Sequence, residues 1–219
     1  MERRQLSKAY TGATAADYEE RRSGSGKWGA ENDALRSLLT DIPAGSRILD
    51  VPAGTGRFLS MYESAGLKAT GADISQDMLR EAASKRTALG SAPPLVVASV
   101  FALPFRNAGF DATLCIRLLN WLSVADLRVA LVELSRVSGQ HVIAGIRSAA
   151  QKPGLWNTLL GRRSAPMAKS AGTGKTIVHQ KSDIADAFRI ADLTVVREAV
   201  VPHGLAGTEY TFYLLRKGG

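Results

Sequence analysis

The segment from Arg47 to Asp73, RILDVPAGTGRFLSMYESAGLKATGAD, constrains this chain more than any other. A short apolar run (Ile48, Leu49, Val51) enters a glycine-containing turn at Ala53-Gly54-Thr55-Gly56. A helix-like stretch follows and stops at Gly66, and a second apolar run ends on Asp73. This strand–turn–helix–strand order describes a nucleoside-binding device. Glycines let backbone N–H groups come close to a ligand, and a carboxylate at the next strand tip can accept both hydroxyls of a ribose.

The remaining chain continues the alternation. Helical spacing at Leu35, Leu38 and Leu39 predicts a helix over 31–40, ended by Pro43 and Gly45. Strands are expected over 47–51, 68–73, 95–100, 110–116 and 141–146. Between them, helices are expected over 57–65, 76–88 (with Ser75 as N-cap) and 126–137, the last stopped by Gly139. Repeated strand–helix alternation predicts a doubly wound α/β fold with a mostly parallel sheet. A helix over 182–190 and two strand-like runs, 193–201 and 210–215, then predict an antiparallel C-terminal hairpin and seven strands in all.

At 219 residues the chain fits a single domain, 1–219, with residues 1–45 as an N-terminal helical cap. No apolar run approaches the roughly 20 residues that span a bilayer. The start, MERRQLSKAY, has basic residues but no apolar core of a secretory signal. The single Cys115, within an apolar run, excludes an internal disulfide and reads as a buried structural thiol. Together these predict a cytoplasmic protein. Three scattered histidines and one cysteine give no metal-ligand spacing, so no metal is expected.

Two nucleotide-binding alternatives fail on single residues. The dinucleotide fingerprint needs a third glycine where this chain has Leu59. Gly172-Thr173-Gly174-Lys175-Thr176 looks like half a phosphate-binding loop, but its first glycine would fall on Lys169.

Four stretches, in order, resemble the class I S-adenosylmethionine (SAM) dependent methyltransferases, in particular the small-molecule branch related to ubiquinone biosynthesis. Leu49-Asp50-Val51-Pro52-Ala53-Gly54-Thr55-Gly56 resembles the glycine motif, and Gly71-Ala72-Asp73-Ile74-Ser75 with Met78-Leu79 the second motif. Ala98 to Phe105 resembles the segment that covers adenine, and Phe110-Asp111-Ala112 continuing to Leu118-Leu119-Asn120-Trp121-Leu122 the fourth strand and its exit. The resemblance covers residues 40–147 and implies a Rossmann-like fold that binds SAM. It implies cofactor contacts at Asp50, Ala53, Gly54, Gly56, Asp73, Ile74, Met78, Ser99, Val100 and Arg117. Asp73 takes the ribose, Met78, Ser99 and Val100 the adenine, and Asp50 the neighbourhood of the amino group; the blander alternatives are a capping acid at Asp73 and a turn-organising one at Asp50. Three departures stand out: Pro52 replaces a glycine and lacks an N–H, Ser99 replaces a common acidic residue, and Asn120 stands where relatives often carry histidine.

The acceptor side is marked by charge. The net charge is +8, and the stretch 147–181 carries Arg147, Lys152, Arg162, Arg163, Lys169, Lys175 and Lys181 with Asp and Glu absent. Its Leu155-Trp156-Asn157-Thr158-Leu159-Leu160 run forms a short apolar face. This basic insertion reads as a solvated loop or as a lid for an anionic, partly apolar acceptor, and it suits peripheral contact with an anionic membrane. The favoured function is methyl transfer from SAM to a small-molecule or lipid-like, anionic acceptor. The alternatives are an RNA methyltransferase and a non-catalytic SAM-binding protein. Six percent aromatics, mostly in apolar runs, weigh against RNA. No catalytic residue stands out: Asn120, His179 and His203 are the candidates, with Glu209 and Tyr210 as further proton acceptors, Trp121 to orient the acceptor, and Tyr10, Tyr18 and Trp28 to close over the site.

Overall fold

A computed structural model of the chain describes residues 26–88, 93–150, 176–202 and 207–218. In chain order the elements are α1 (Gly26–Leu39), β1 (Arg47–Asp50), α2 (Leu59–Ser64), β2 (Lys68–Asp73), α3 (Gln76–Ala88), β3 (Leu95–Val97) and β4 (Phe110–Cys115). A 3-10 turn (Leu119–Trp121), α4 (Val124–Val137), β5 (Ser138–Ala149), α5 (Lys181–Ile190), β6 (Leu193–Val201) and β7 (Thr208–Lys217) follow. The seven strands form one sheet in the order β3-β2-β1-β4-β5-β7-β6. Pairings from β3 to β5 are parallel, while β7 runs antiparallel to both β5 and β6. The doubly wound, mostly parallel sheet with its antiparallel C-terminal hairpin is therefore as the alternation predicts.

Each face of the sheet is covered by helices whose apolar residues recur at helical spacing. Leu127, Leu131 and Leu134 of α4 join Ile184 and Phe188 of α5 over Leu49, Val51, Val142 and Ala144. On the other face, Leu35 and Leu38 of α1 and Leu59 and Tyr62 of α2 pack over Ile48, Leu114, Ile143 and Phe212. Alternate residues of one strand thus serve opposite cores, the period-two rule of a strand buried on both faces. Ser123 caps α4 by accepting from the Asp126 N–H at 3.1 Å, and Ser75 caps α3 by accepting from the Met78 N–H at 3.3 Å.

The structure corrects several boundaries. The first described helix begins at Gly26, not at 31, and runs through Gly29. Local glycine content argues against that turn of helix, but Trp28 stacks on Arg57, 3.6 Å from its ring centroid, and anchors it. Gly139 does not end a helix in a loop; it lies inside β5, which starts directly after α4 and reaches Ala149. Pairing with β7 from His141 to Ala149 extends this strand past its apolar centre. β3 stops at Val97, so Ser99 and Val100 lie in the turn beyond it rather than in the strand. The glycine turn is longer than expected, with α2 beginning only at Leu59. Among the described residues no helix is long and apolar enough to cross a membrane. Of the N-terminal cap only 26–45 is described, and of the basic insertion only 147–150 and 176–181, so Tyr10, Tyr18, Trp156 and the remaining lysines and arginines of that stretch lie outside the described residues.

Candidate functional site

The strand order changes direction between β1 and β4, which opens a crevice at the carboxyl ends of these strands. Ladder bonds carry the chain into the crevice: the Val51 N–H donates to Leu114 O at 2.9 Å and the Ala53 N–H to Ala72 O at 2.8 Å. The Val51–Pro52 peptide is cis. The next glycines both adopt left-handed conformations, φ 56° at Gly54 and 77° at Gly56. They differ in surroundings. A Cβ on Gly56 would lie 2.9 Å from Leu59 Cδ1 and 3.1 Å from Ala82 Cβ, whereas one on Gly54 would meet nothing within 4 Å. Gly56 lets α2 and α3 pack closely; Gly54 faces open space.

Asp73 closes this turn onto β2. Its Oδ2 accepts from the Gly54 N–H at 2.9 Å and its Oδ1 from the Ser75 N–H at 2.8 Å. Burial pushes the Asp73 carboxyl above its ordinary range, and the bonds from Ser75, Gly54 and Ile74 oppose that rise. Asp50, 1% exposed, has neither oxygen hydrogen-bonded among the described residues. The Tyr62 hydroxyl is its polar neighbour, but the two fall outside hydrogen-bond geometry. Burial pushes the Asp50 carboxyl up to about 7; the Tyr62 hydroxyl pulls it down and the Asp73 charge adds to the rise. Cys115 is fully buried, and burial followed by the Asp50 charge holds its thiol well above the usual range, so it stays protonated.

Other predicted positions follow around the crevice. Ala53 is buried in the turn, Met78 is buried on α3, and Ile74 is exposed at the β2 tip. Ser99 Oγ accepts from the Phe101 N–H at 3.3 Å, and Val100 beside it is buried. Asp73 O accepts from the Ala98 N–H at 3.0 Å, which brings this turn against the β2 tip. The predicted set Asp50, Gly54, Asp73, Ser99 and Val100 thus lies along the carboxyl ends of β1, β2 and β3.

Arg117 belongs to a cluster that sequence reasoning missed. It leaves β4 with φ 72° and donates from Nε (3.0 Å) and Nη2 (2.6 Å) to Glu31 Oε2. Arg57 donates to the same oxygen from Nη1 at 2.6 Å, and from Nη2 to Trp28 O and Asn32 Oδ1, each at 2.8 Å. One buried carboxylate on α1 therefore joins the glycine turn to the β4 exit. Partners separated by 26 and 86 residues carry no local signal; a charged residue directly after the second glycine was the one available hint. A groove of about 910 Å³ between α1 and α2 meets this cluster through Trp28 and Arg57, but Gly54 and Asp73 do not line it.

Asn120 and His179 hold backbone. Asn120 Oδ1 accepts from the Arg147 N–H and its carbonyl from the Ile177 N–H, both at 2.5 Å. His179 Nε2 lies 3.1 Å from Leu119 O, which assigns the proton to Nε2. Its backbone N–H donates to Arg147 O at 3.0 Å, and its carbonyl accepts from Ala149 at 3.1 Å. Burial lowers the affinity of His179 for a second proton, against the hydrogen bond to Leu119 and the Asp183 charge. The Asn120 side chain ties the 3-10 turn to β5, and the His179 side chain with the backbone of 177–179 ties that segment to both. Glu209 pairs with Lys181 at 2.8 Å, and Tyr210 is buried, its hydroxyl pushed up by burial and then by the Glu31 charge. Trp121 is half-buried. His203 lies outside the described residues. Among the described residues no group of His, Cys, Asp or Glu is placed to hold a metal ion.

A methyltransferase-domain family model matches residues 48–140. The chain is 36% identical over 134 residues to the demethylmenaquinone methyltransferase of Renibacterium salmoninarum, covering 54% of this chain and 53% of that protein. It is 36% identical over 107 residues to the malonyl-[acyl-carrier protein] O-methyltransferase of Erwinia billingiae, covering 48% and 40%. The matches thus span about half the length of these curated relatives. Among solved structures, the magnesium protoporphyrin IX methyltransferase of Synechocystis PCC 6803 with bound S-adenosylhomocysteine (SAH) superposes with a TM-score of 0.74 at 18% identity, over 98% of this chain and 100% of that one.

Proposed function

We propose that this chain, a member of the class I SAM-dependent methyltransferases, transfers a methyl group from SAM to a small-molecule acceptor that is anionic and partly apolar. The observation that carries the reading is the junction of Gly54 and Asp73: a left-handed glycine open to solvent, tied by its N–H to the carboxylate at the neighbouring strand tip. The residues fit the cofactor. Asp73 already takes the N–H groups of Gly54, Ser75 and Ile74, and a carboxylate offers about four acceptor sites, so it retains capacity for a ribose hydroxyl. Asp50 supplies two buried oxygens beside the turn, without partners among the described residues and suited to a cationic amino group. The turn holding Ser99 and Val100 lies against the β2 tip, which suits it to contact the base.

When bound, SAM supplies an electrophilic methyl group on a sulfonium. The protein's task is then largely alignment of donor and acceptor, which contributes much of the rate in displacements of this kind. Glu31 holds Arg57 and Arg117 together, and so fixes the glycine turn relative to the β4 exit. Asn120 and His179, engaged with backbone, serve as rigid walls rather than proton carriers in this scheme. An acceptor whose reactive atom is already unprotonated at neutral pH needs no general base.

Calorimetric titration of SAM and NAD into wild type and Asp73→Ala tests the reading. SAM is expected to bind wild type, NAD is not, and Asp73→Ala is expected to lose SAM binding. Retention of SAM binding by Asp73→Ala, or binding of NAD in its place, refutes it. A salt-dependent mobility shift with RNA would move the acceptor class to nucleic acid.

A further inference from the structure

Resting on the methyl-transfer reading, we propose that Arg147 anchors the acceptor, and that the group it holds is a carboxylate. Arg147 lies near the carboxyl end of β5, in register with Tyr210 of β7. Its guanidinium carbon sits 5.6 Å from the Tyr210 ring centroid, within cation–π range. The backbone is held on both sides, by Asn120 Oδ1 on its N–H and by the His179 N–H on its carbonyl. Of the side-chain nitrogens, Nη1 donates to Thr176 Oγ1 at 3.3 Å. Nε is buried and has no partner among the described residues.

Among the described residues, the Nε–Nη2 edge of the fork has no hydrogen-bond partner. That edge presents two parallel N–H groups and matches two oxygens of one planar anion. A buried donor without a partner is costly, so a site that keeps one is suited to a ligand that satisfies it. Charge selects among oxyanions. Arg57 and Arg117 are committed to Glu31, and the neighbouring Glu209 to Lys181, while Arg147 has no ion-pair partner among the described residues. A single uncompensated cation suits a monoanion better than a phosphate monoester, which carries about −1.5 to −2 at neutral pH. Position agrees: the Arg147 N–H bonds Asn120 in the 3-10 turn that follows β4, and β5 lies on the side of β4 away from β1, so Arg147 borders the β4 exit.

The test uses the full chain, with and without SAH, and three probes: benzoate, phenyl phosphate and neutral benzyl alcohol. The readout is the Nε–H resonance of Arg147 in a nitrogen-15 spectrum, assigned through its contact with the Tyr210 ring. Benzoate is expected to shift this resonance saturably, and benzyl alcohol is not. Arg147→Lys, which keeps the charge and loses the fork, is expected to weaken benzoate binding by about tenfold or more while SAH affinity holds. An unmoved resonance, equal benzoate affinity in Arg147→Lys, or tighter binding of phenyl phosphate overturns the proposal. Should Arg147→Lys fail to fold, the wild-type resonance decides alone. Failure of SAH to bind wild type instead removes the methyl-transfer reading, and the titration without SAH still decides what Arg147 binds.

Discussion

The two glycines of the turn have the same backbone conformation and opposite surroundings, so alanine at each should separate binding from folding. At Gly54 an alanine pays for the left-handed conformation, about 1–2 kcal/mol, partly offset by about 0.4–1 kcal/mol from a stiffer unfolded chain. Its Cβ meets nothing within 4 Å, so the net loss is about 1 kcal/mol. At Gly56 the same backbone term is joined by contacts at 2.9 Å with Leu59 and 3.1 Å with Ala82. Overpacking of this kind adds about 1–3 kcal/mol. At about 2–4 °C per kcal/mol for a domain of this size, Gly54→Ala should lower Tm by about 2–4 °C and Gly56→Ala by clearly more. Adding SAH should separate them the other way: wild type and Gly56→Ala should rise in Tm, and Gly54→Ala should not, since in the proposed site its methyl would take the space the ligand approaches. Thermal unfolding with and without SAH, followed by circular dichroism, reads both effects. Equal Tm losses, or a full SAH-induced rise in Gly54→Ala, would refute this division of labour.

Further outcomes follow from buried charges and close contacts. Asp50 has a folded-state carboxyl at about 7 against an ordinary 3.8, so stability present at low pH is lost as pH rises from about 4 to about 7. Asp50→Asn should therefore gain on wild type across that window, up to about 4 kcal/mol at pH 8, and urea unfolding with parallel pH profiles for the two proteins would count against it. Glu31→Gln leaves Arg57 and Arg117 facing each other without their carboxylate; with Glu31 and Arg57 side chains 8% and 10% exposed, the cost should be about 3–5 kcal/mol by urea unfolding, and a loss under about 1 kcal/mol would show that the cluster is not strongly coupled. Gly145→Ala would place a Cβ 2.9 Å from the Tyr210 hydroxyl and 3.0 Å from the Phe212 ring. The expected penalty is about 1–3 kcal/mol, and an unchanged Tm would mean that Tyr210 moves freely.

The strand–helix alternation and the nucleoside crevice were legible because their signals are local. β2 and α3 fall at the residues expected, Lys68–Asp73 and Gln76–Ala88, since apolar runs, a cap and a glycine stop lie within a few residues of one another. The termini of α1 and β5 were not legible, because a stacked Trp28 and a paired β7 extend them from a distance. The basic stretch 147–181 drew attention by charge, and of it residues 147–150 and 176–181 are described. There Asn120 and His179, read as chemical candidates from their side chains, bind backbone instead.

By itself the sequence determined the sheet, the turn and the carboxylates that border it, since each depends on periodicity or on residues adjacent in the chain. Only the tertiary structure decided which polar groups are committed. It paired Glu31 with Arg57 and Arg117, packed Gly56 while leaving Gly54 open, set Arg147 against Tyr210, and left Asp50 and one edge of the Arg147 fork without partners among the described residues. Burial and partnership are properties of groups brought together across the fold, and no spacing within the chain encodes them.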